Sequence, residues 1–327
     1  MSKSSFAGAV IFGFEFQVDA AICLFIRSIE NIDQIKVEGK FQDIELLMKD
    51  GSKTFCQVKS IYNPSSVRSL SKFREAAYSL AETPIGLNDS YLYCSNQLDS
   101  FISGSSCFSV DSILEYSFVN LEEGMQKIVE KYFSKKKSKK WDKFKIIKIP
   151  YNISSNAETK KAHIINEIKK FLIAVREDES RASLLIKDWH GYFENSAEGI
   201  EEEFVLKKER IIWMIIASLL SQSLSKVIIN DETLRYDVEK RYDNLISFKI
   251  CNFEISNKII GLYIEQLPEK KWKSFDSFTD FNLRDLTNFI FQDETIGEIE
   301  LITVYAITSA ILSCRTRIER IKAGAKL

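Results

Sequence analysis

Apolar side chains recur every three or four positions at the start of the chain, where Phe14, Val18, Ala21, Ile22, Phe25 and Ile29 predict an amphipathic helix over residues 10–30. The pattern then changes, and Val37 to Lys59 reads as two strands joined by a turn at Lys49-Asp50-Gly51. After a turn and cap at Asn63-Pro64-Ser65-Ser66, Leu70, Phe73, Ala77 and Leu80 mark a second helix over residues 67–81. Tyr91 to Asn96 is a short strand that extends the sheet, ended by Asn96 and Gln97. Val110 to Phe133 has helical spacing, and Phe144 to Ile149 reads as a strand closed by Pro150. Beyond Pro150 the helical period dominates, clearest over Glu158–Arg176, Ser180–Trp189, Glu201–Ser225 and Glu298–Ile321. Within Val227–Phe253, the alternation of Ile246, Phe248 and Ile250 reads as a strand or loop. The expected fold class is α/β, with residues 1–150 as one domain and residues 151–327 as a mostly helical second, divided at Pro150–Ala157.

The register of the first hairpin decides which polar groups meet. A two-residue loop at Asp50-Gly51 pairs residues whose numbers sum to 101 and puts Asp43 on the face opposite Gln57 and Lys59. A three-residue loop, with Gly51 left-handed in a bulge, makes the sum 100 and gathers Asp43, Gln57 and Lys59 on one face. The second register leaves Ile44, Leu46, Cys56 and Val58 for burial, and is preferred for that reason.

An acid, an amide oxygen and a lysine at the end of a small sheet can hold a divalent cation and a water beside a phosphodiester. Asp43 and the Gln57 oxygen are hard ligands suited to Mg²⁺ or Mn²⁺, with the Val58 carbonyl a further donor. Lys59 is placed to orient or deprotonate the attacking water, or to balance charge on the phosphate, while the metal acts as Lewis acid. Glu38, five residues before Asp43, is another candidate ligand. A helix, a hairpin, a helix and a further strand is also the element order of a restriction-endonuclease-like core.

The helix motif Gly13-Phe14-x-Phe16-Gln17, the pair Glu38-Gly39 followed by Asp43-Ile44, and the strand Gln57-Val58-Lys59-Ser60 together resemble PD-(D/E)xK nucleases of bacterial antiphage defence. The likeness covers residues 8 to 100, and is nearest to the nuclease subunit of Lamassu-type systems and the endonuclease domain of cyclic-oligonucleotide-activated effectors. It implies a metal-dependent DNA endonuclease in which Asp43 is the metal-binding acid, Gln57 the second ligand and Lys59 the catalytic lysine. Glu38 is then an additional acid, and Gln17 supports the site from the helix. Gln57 stands where the general pattern has an acid, which removes a negative ligand and implies lower metal affinity. No segment resembles the ligand-sensing domain of the cyclic-oligonucleotide effectors. The Lamassu-type likeness implies double-stranded DNA, an SMC-like ATPase and an accessory subunit as partners, and a homo-oligomer as the active form.

Composition is that of a soluble globular protein: 327 residues, 45% hydrophobic and 28% charged, with 4 Pro and 12 Gly arguing against long linkers. The six cysteines form no Cys-x-x-Cys pair and fit a reducing cytoplasm. Only His163 and His190 are present, too few for a zinc centre or a Ser-His triad to be expected. Glu15 and Asp19 interrupt the N-terminal apolar run, so it is not expected to be a signal peptide. Ile211 to Leu220 is about half the length of a membrane span, and no membrane partner is expected.

A net charge of −1 does not announce a nucleic-acid binder, yet lysines from Lys135 to Lys148 surround Trp141 and Phe144. Lys137 and Lys140 within this patch, and Lys72 and Arg74 on the second helix, are candidate DNA contacts; a solvated loop accounts equally well for the patch. The closing helix, with Ile299, Ile302, Tyr305, Ile307 and Leu312 in one band, serves as core, dimer interface or docking site.

Overall fold

A computed structural model describes residues 3–61, 69–84, 86, 88–97, 112–135, 141–151, 157–198, 205–221, 231–248, 252–269, 272, 274–292 and 295–327. The chain forms two compact units, one of residues 1–173 and 178–208, the other of residues 174–177 and 209–327.

The first unit is α/β. It opens with helix α1 (Lys3–Arg27), then β1 (Ile32–Val37), β2 (Ile44–Met48), β3 (Lys53–Lys59), α2 (Ser69–Glu82) and β4 (Ser90–Ser95). β5 (Leu114–Ser117), α3 (Glu123–Phe133), β6 (Phe144–Lys148), α4 (Ala157–Ala174), α5 (Ala182–Glu198) and β7 (Leu206–Lys207) follow. One seven-stranded sheet runs in the order β5-β6-β4-β3-β2-β1-β7. β1, β2 and β3 form an antiparallel meander, and β3, β4 and β6 run parallel.

Each sheet face is buried by helices of matching period. Phe55, Tyr91, Tyr93, Phe144 and Ile146 project to the side where α2 and α3 supply Phe73, Leu80, Val129 and Phe133. Phe73 stands edge-on to Tyr93 and Phe144 at 5.2 and 6.1 Å between ring centres, the geometry aromatic quadrupoles favour. The alternate set, Cys56, Val58, Leu92, Cys94 and Ile147, is buried on the other face, and α1 packs against β1, β2 and β3. Every residue of α1 from Phe16 to Ile26 is buried, which explains its apolar circumference. Gly8–Arg27 and Glu298–Ala325 are long and apolar enough to cross a membrane by length and composition. In α1 that apolarity is used within the unit.

Several elements depart from the sequence expectations. The strand β1 precedes the hairpin as a third member of the meander, and Glu38 lies in the turn after it. Part of the helix expected over Val110–Phe133 is strand β5, because Leu114 to Ser117 pair antiparallel with β6 at the sheet edge, and backbone pairing overrides helical spacing. Residues 101–111 lie outside the described residues. The first unit also runs past the boundary expected at Pro150–Ala157, since α5 packs on α1 and β1 while β7 pairs with β1.

The second unit is helical: α6 (Lys208–Leu220), whose first residue belongs to the first unit, then α7 (Glu232–Phe248), α8 (Asn252–Gln266), α9 (Phe275–Ile290) and α10 (Glu298–Ala325). α7 replaces the strand or loop expected around Ile246, because Val238, Tyr242, Leu245 and Ile246 bury one helical stripe; Ile250 lies outside the described residues. α10 packs along α7, α8 and α9. Within the unit, Tyr242 donates its hydroxyl to the Leu220 carbonyl at 2.7 Å, and the buried Glu177 accepts a forked pair of bonds from Arg317. Cys23, Cys56, Cys94 and Cys314 are buried free thiols.

Candidate active site

The register of β2 on β3 brings the polar groups together. Ile44 pairs with Cys56, Glu45 with Phe55 and Leu46 with Thr54, the bulged register that burial of the apolar set requires. Gly51 makes this possible with φ +80, a left-handed turn in which its N–H reaches the Met48 carbonyl at 2.9 Å. Asp50 Oδ1 fastens the turn, accepting from the Ser52 N–H at 2.9 Å and its hydroxyl at 2.6 Å.

β2 begins at Ile44, so the next ladder rung on β3, from the Val58 N–H, has no strand carbonyl opposite. The Asp43 carboxylate takes its place: Oδ2 accepts from the Val58 N–H at 2.8 Å and also from the Gln57 carboxamide Nε2. Burial raises the Asp43 pKa above its ordinary value of 3.8. The Val58 bond and the Lys59 charge oppose that rise, Glu38 adds to it, and the Gln57 bond opposes it. Gln57 is buried, and Lys59, two residues further along the strand, shares its face.

The turn that delivers Asp43 is tightly specified. Glu38 adopts φ 52, a strained backbone for a residue with a Cβ, and its N–H donates to the Asp43 carbonyl at 2.8 Å. Glu45 folds beneath the turn, where Oε1 accepts from the Phe41 N–H at 2.7 Å. A Cβ at Gly39 would lie 2.5 Å from Glu45 Cγ, so any larger residue here must displace the Glu45 side chain. Gln42 ties the same turn to α2 by donating to Thr83 Oγ1 at 2.7 Å and the Ser79 carbonyl at 3.1 Å.

Gln17 joins the site from α1. Its Nε2 donates to Glu38 Oε1 at 2.9 Å and to the Asp43 carbonyl at 3.1 Å, and the side chain is buried. Asp19, two positions on and so on another side of α1, is fully buried. Lys161 Nζ and His190 Nε2 lie 3.3 and 3.7 Å from its Oδ1. Burial raises the Asp19 pKa, opposed first by the Lys161 charge. Neither Gln17 nor Asp19 is a solvated side chain.

Asp43, Gln57, Val58, Lys59, Glu38 and Gln17 are therefore neighbours. The proposed DNA contacts are more scattered. The Lys72 ammonium donates to the Ser60 carbonyl, Arg74 is exposed on α2, and Lys137 and Lys140 lie outside the described residues. Within the lysine patch, Lys145 pairs with Glu115 at 2.8 Å and Lys148 is buried. Sequence reasoning passed over Glu45, Gln42 and Ser95 and took Asn96 only as the end of a strand. Their partners lie 35 or more residues away or inside an irregular turn, which no local pattern marks.

Among the described residues no group of three or more His, Cys, Asp or Glu side chains converges. The donors beside Asp43 still suit a hard cation, because they are oxygens: its carboxylate, the Gln57 amide oxygen, the Val58 carbonyl and Glu38. Glu38 raises the Asp43 pKa, a repulsion that a cation between them would relieve. Gln57 turns its NH₂ toward Asp43. Rotating the carboxamide brings its oxygen to the carboxylate, an arrangement favourable only with a cation between the two. Comparisons with protein-family models, with curated proteins and with solved structures found no match to this chain.

Proposed function

We propose that this protein is a Mg²⁺- or Mn²⁺-dependent DNA endonuclease, the effector of a bacterial antiphage or anti-plasmid defence complex acting in the cytoplasm. The observation that carries this reading is the contact of the Asp43 carboxylate with the Gln57 carboxamide and the Val58 amide, on the strand that ends at Lys59. Support also comes from the order of helix, antiparallel strands, helix and parallel strand, which suits a restriction-endonuclease-like core. In this reading Asp43 and Gln57 hold the cation with the Val58 carbonyl, Glu38 assists, and Gln17 orients Glu38. A bound cation would supply Lewis acidity toward a phosphodiester. Lys59 holds the attacking water through its ammonium and balances charge on the phosphate. Double-stranded DNA is the proposed substrate. An SMC-like ATPase with an accessory subunit is the proposed partner, and self-association accompanies activity.

The test is incubation of supercoiled plasmid with Mg²⁺ and the wild-type, Asp43→Asn or Lys59→Met protein, alone and with its partners. Cutting by the wild type alone among the three is expected. Equal cutting by wild type and Lys59→Met overturns the assignment.

A second reading, a DNA- or protein-binding adaptor without chemistry, draws on one observation: Asp43 Oδ2 already accepts two protein hydrogen bonds. Titration with Mn²⁺ separates the two, since an adaptor shows no binding that depends on Asp43.

A further inference from the structure

The parallel pairing of β3 with β4 ends at Lys59 opposite Ser95, and what holds the chain beyond that rung is a side chain. Asn96 Oδ1 accepts from the Ile61 N–H at 2.7 Å, and its Nδ2 donates to the Ile61 carbonyl at 3.1 Å, so one carboxamide meets both backbone groups of Ile61. The same Nδ2 donates to the Tyr151 carbonyl at 3.1 Å, joining the segment after β6 to the end of β3. The Tyr151 ring packs on Phe12 and Phe16 of α1 at 5.3 and 5.2 Å, and Phe16 directly precedes Gln17. Ser95 adds a bond from its hydroxyl to the Lys59 carbonyl at 2.8 Å, and Lys72 reaches the Ser60 carbonyl.

We infer that Asn96 is a positioning residue that fixes the backbone after Lys59, and with it the place of the Lys59 ammonium beside Asp43. The inference rests on the nuclease reading for its catalytic consequence, but not for the mechanical one. Lys59 is the last residue of its strand, and a strand end frays unless its next peptide is bonded. The Ser95 hydroxyl bonds the Lys59 carbonyl, and Asn96 supplies the substitute rung two residues on, at Ile61. Small displacements of a group that must meet a reacting atom cost up to about a hundredfold in rate.

Two readouts on the full chain test this, with Asn96→Ala and with Asn96→Asp, which keeps the acceptor for the Ile61 N–H. Amide hydrogen exchange reads the mechanical part without any activity. Faster exchange confined to residues 59–61 in Asn96→Ala, smaller in Asn96→Asp, is expected; unchanged exchange, or loosening spread evenly over the first unit, overturns the inference. Steady-state cleavage reads the catalytic part. A fall in kcat of about tenfold to a hundredfold with KM for DNA held is expected. An unchanged kcat beside locally faster exchange overturns it. If the wild type cuts no DNA in any assembled form, the nuclease reading fails, while the exchange result still decides whether Asn96 holds Lys59.

Discussion

Asp43 and Val58 share a hydrogen bond that occupies a rung of the β2–β3 ladder, the Val58 N–H donating to Asp43 Oδ2 at 2.8 Å. A carboxylate therefore does what a backbone carbonyl does elsewhere in the sheet. Asp43→Ala strands that N–H and the Gln57 amide, so it is expected to cost about 1–3 kcal/mol in urea denaturation. Asp43→Asn, which keeps an acceptor, is expected to cost less. Equal losses from the two variants would show that the rung contributes nothing.

The pH dependence of the same pair has a definite sign. With its folded pKa raised above the ordinary 3.8, Asp43 binds its proton more tightly in the folded state. Its contribution to stability is then fully present below that ordinary value and is lost as pH rises through the folded pKa. The stability of Asp43→Asn relative to wild type should therefore increase as pH is raised from about 4 toward neutrality. A relative stability that falls over that range would mean the carboxylate is stabilised in its charged form.

Gly39 and Glu45 should behave as one unit. Gly39→Ala displaces the Glu45 side chain, and Glu45→Ala removes the acceptor of the Phe41 N–H, so each is expected to cost about 1 kcal/mol. The double variant should cost little more than either, measured by thermal unfolding. Full additivity would mean that the two residues do not act through the same turn.

Lys161 partners a carboxylate with no exposed surface. Lys161→Met leaves Asp19 buried with His190 and the Tyr151 hydroxyl as its remaining neighbours, and is expected to cost about 3 kcal/mol. Adding Asp19→Asn should recover much of that loss. Failure to recover it would show that the loss does not come from leaving the Asp19 carboxylate without its ammonium partner.

Much of the first unit was legible in the sequence, because its elements obey their own periods: the hairpin, α2, β4 and β6 carry apolar positions that the sheet or helix buries, while α1, expected to be amphipathic, is a helix buried on all sides from Phe16 to Ile26. The preference for the bulged register rested on one argument, that Ile44, Leu46, Cys56 and Val58 cannot all face water, and β2 and β3 pair as it requires. β5 was not legible, since a four-residue edge strand is made by its partner β6 rather than by its own pattern. α7 was misread from three alternating apolar residues near its end, while its buried stripe begins at Val238. The turn from Glu38 to Asp43 was hidden too, because its shape depends on the Glu45 side chain folding back beneath it.

Anomalous diffraction from a crystal of the protein soaked in Mn²⁺ tests the central claim most directly. A peak bonded to the Asp43 carboxylate, with the Gln57 carboxamide turned so that its oxygen faces the ion and Lys59 alongside, is the predicted result. A soaked crystal with no peak at Asp43, and with the Gln57 NH₂ still donating to its carboxylate, would contradict it.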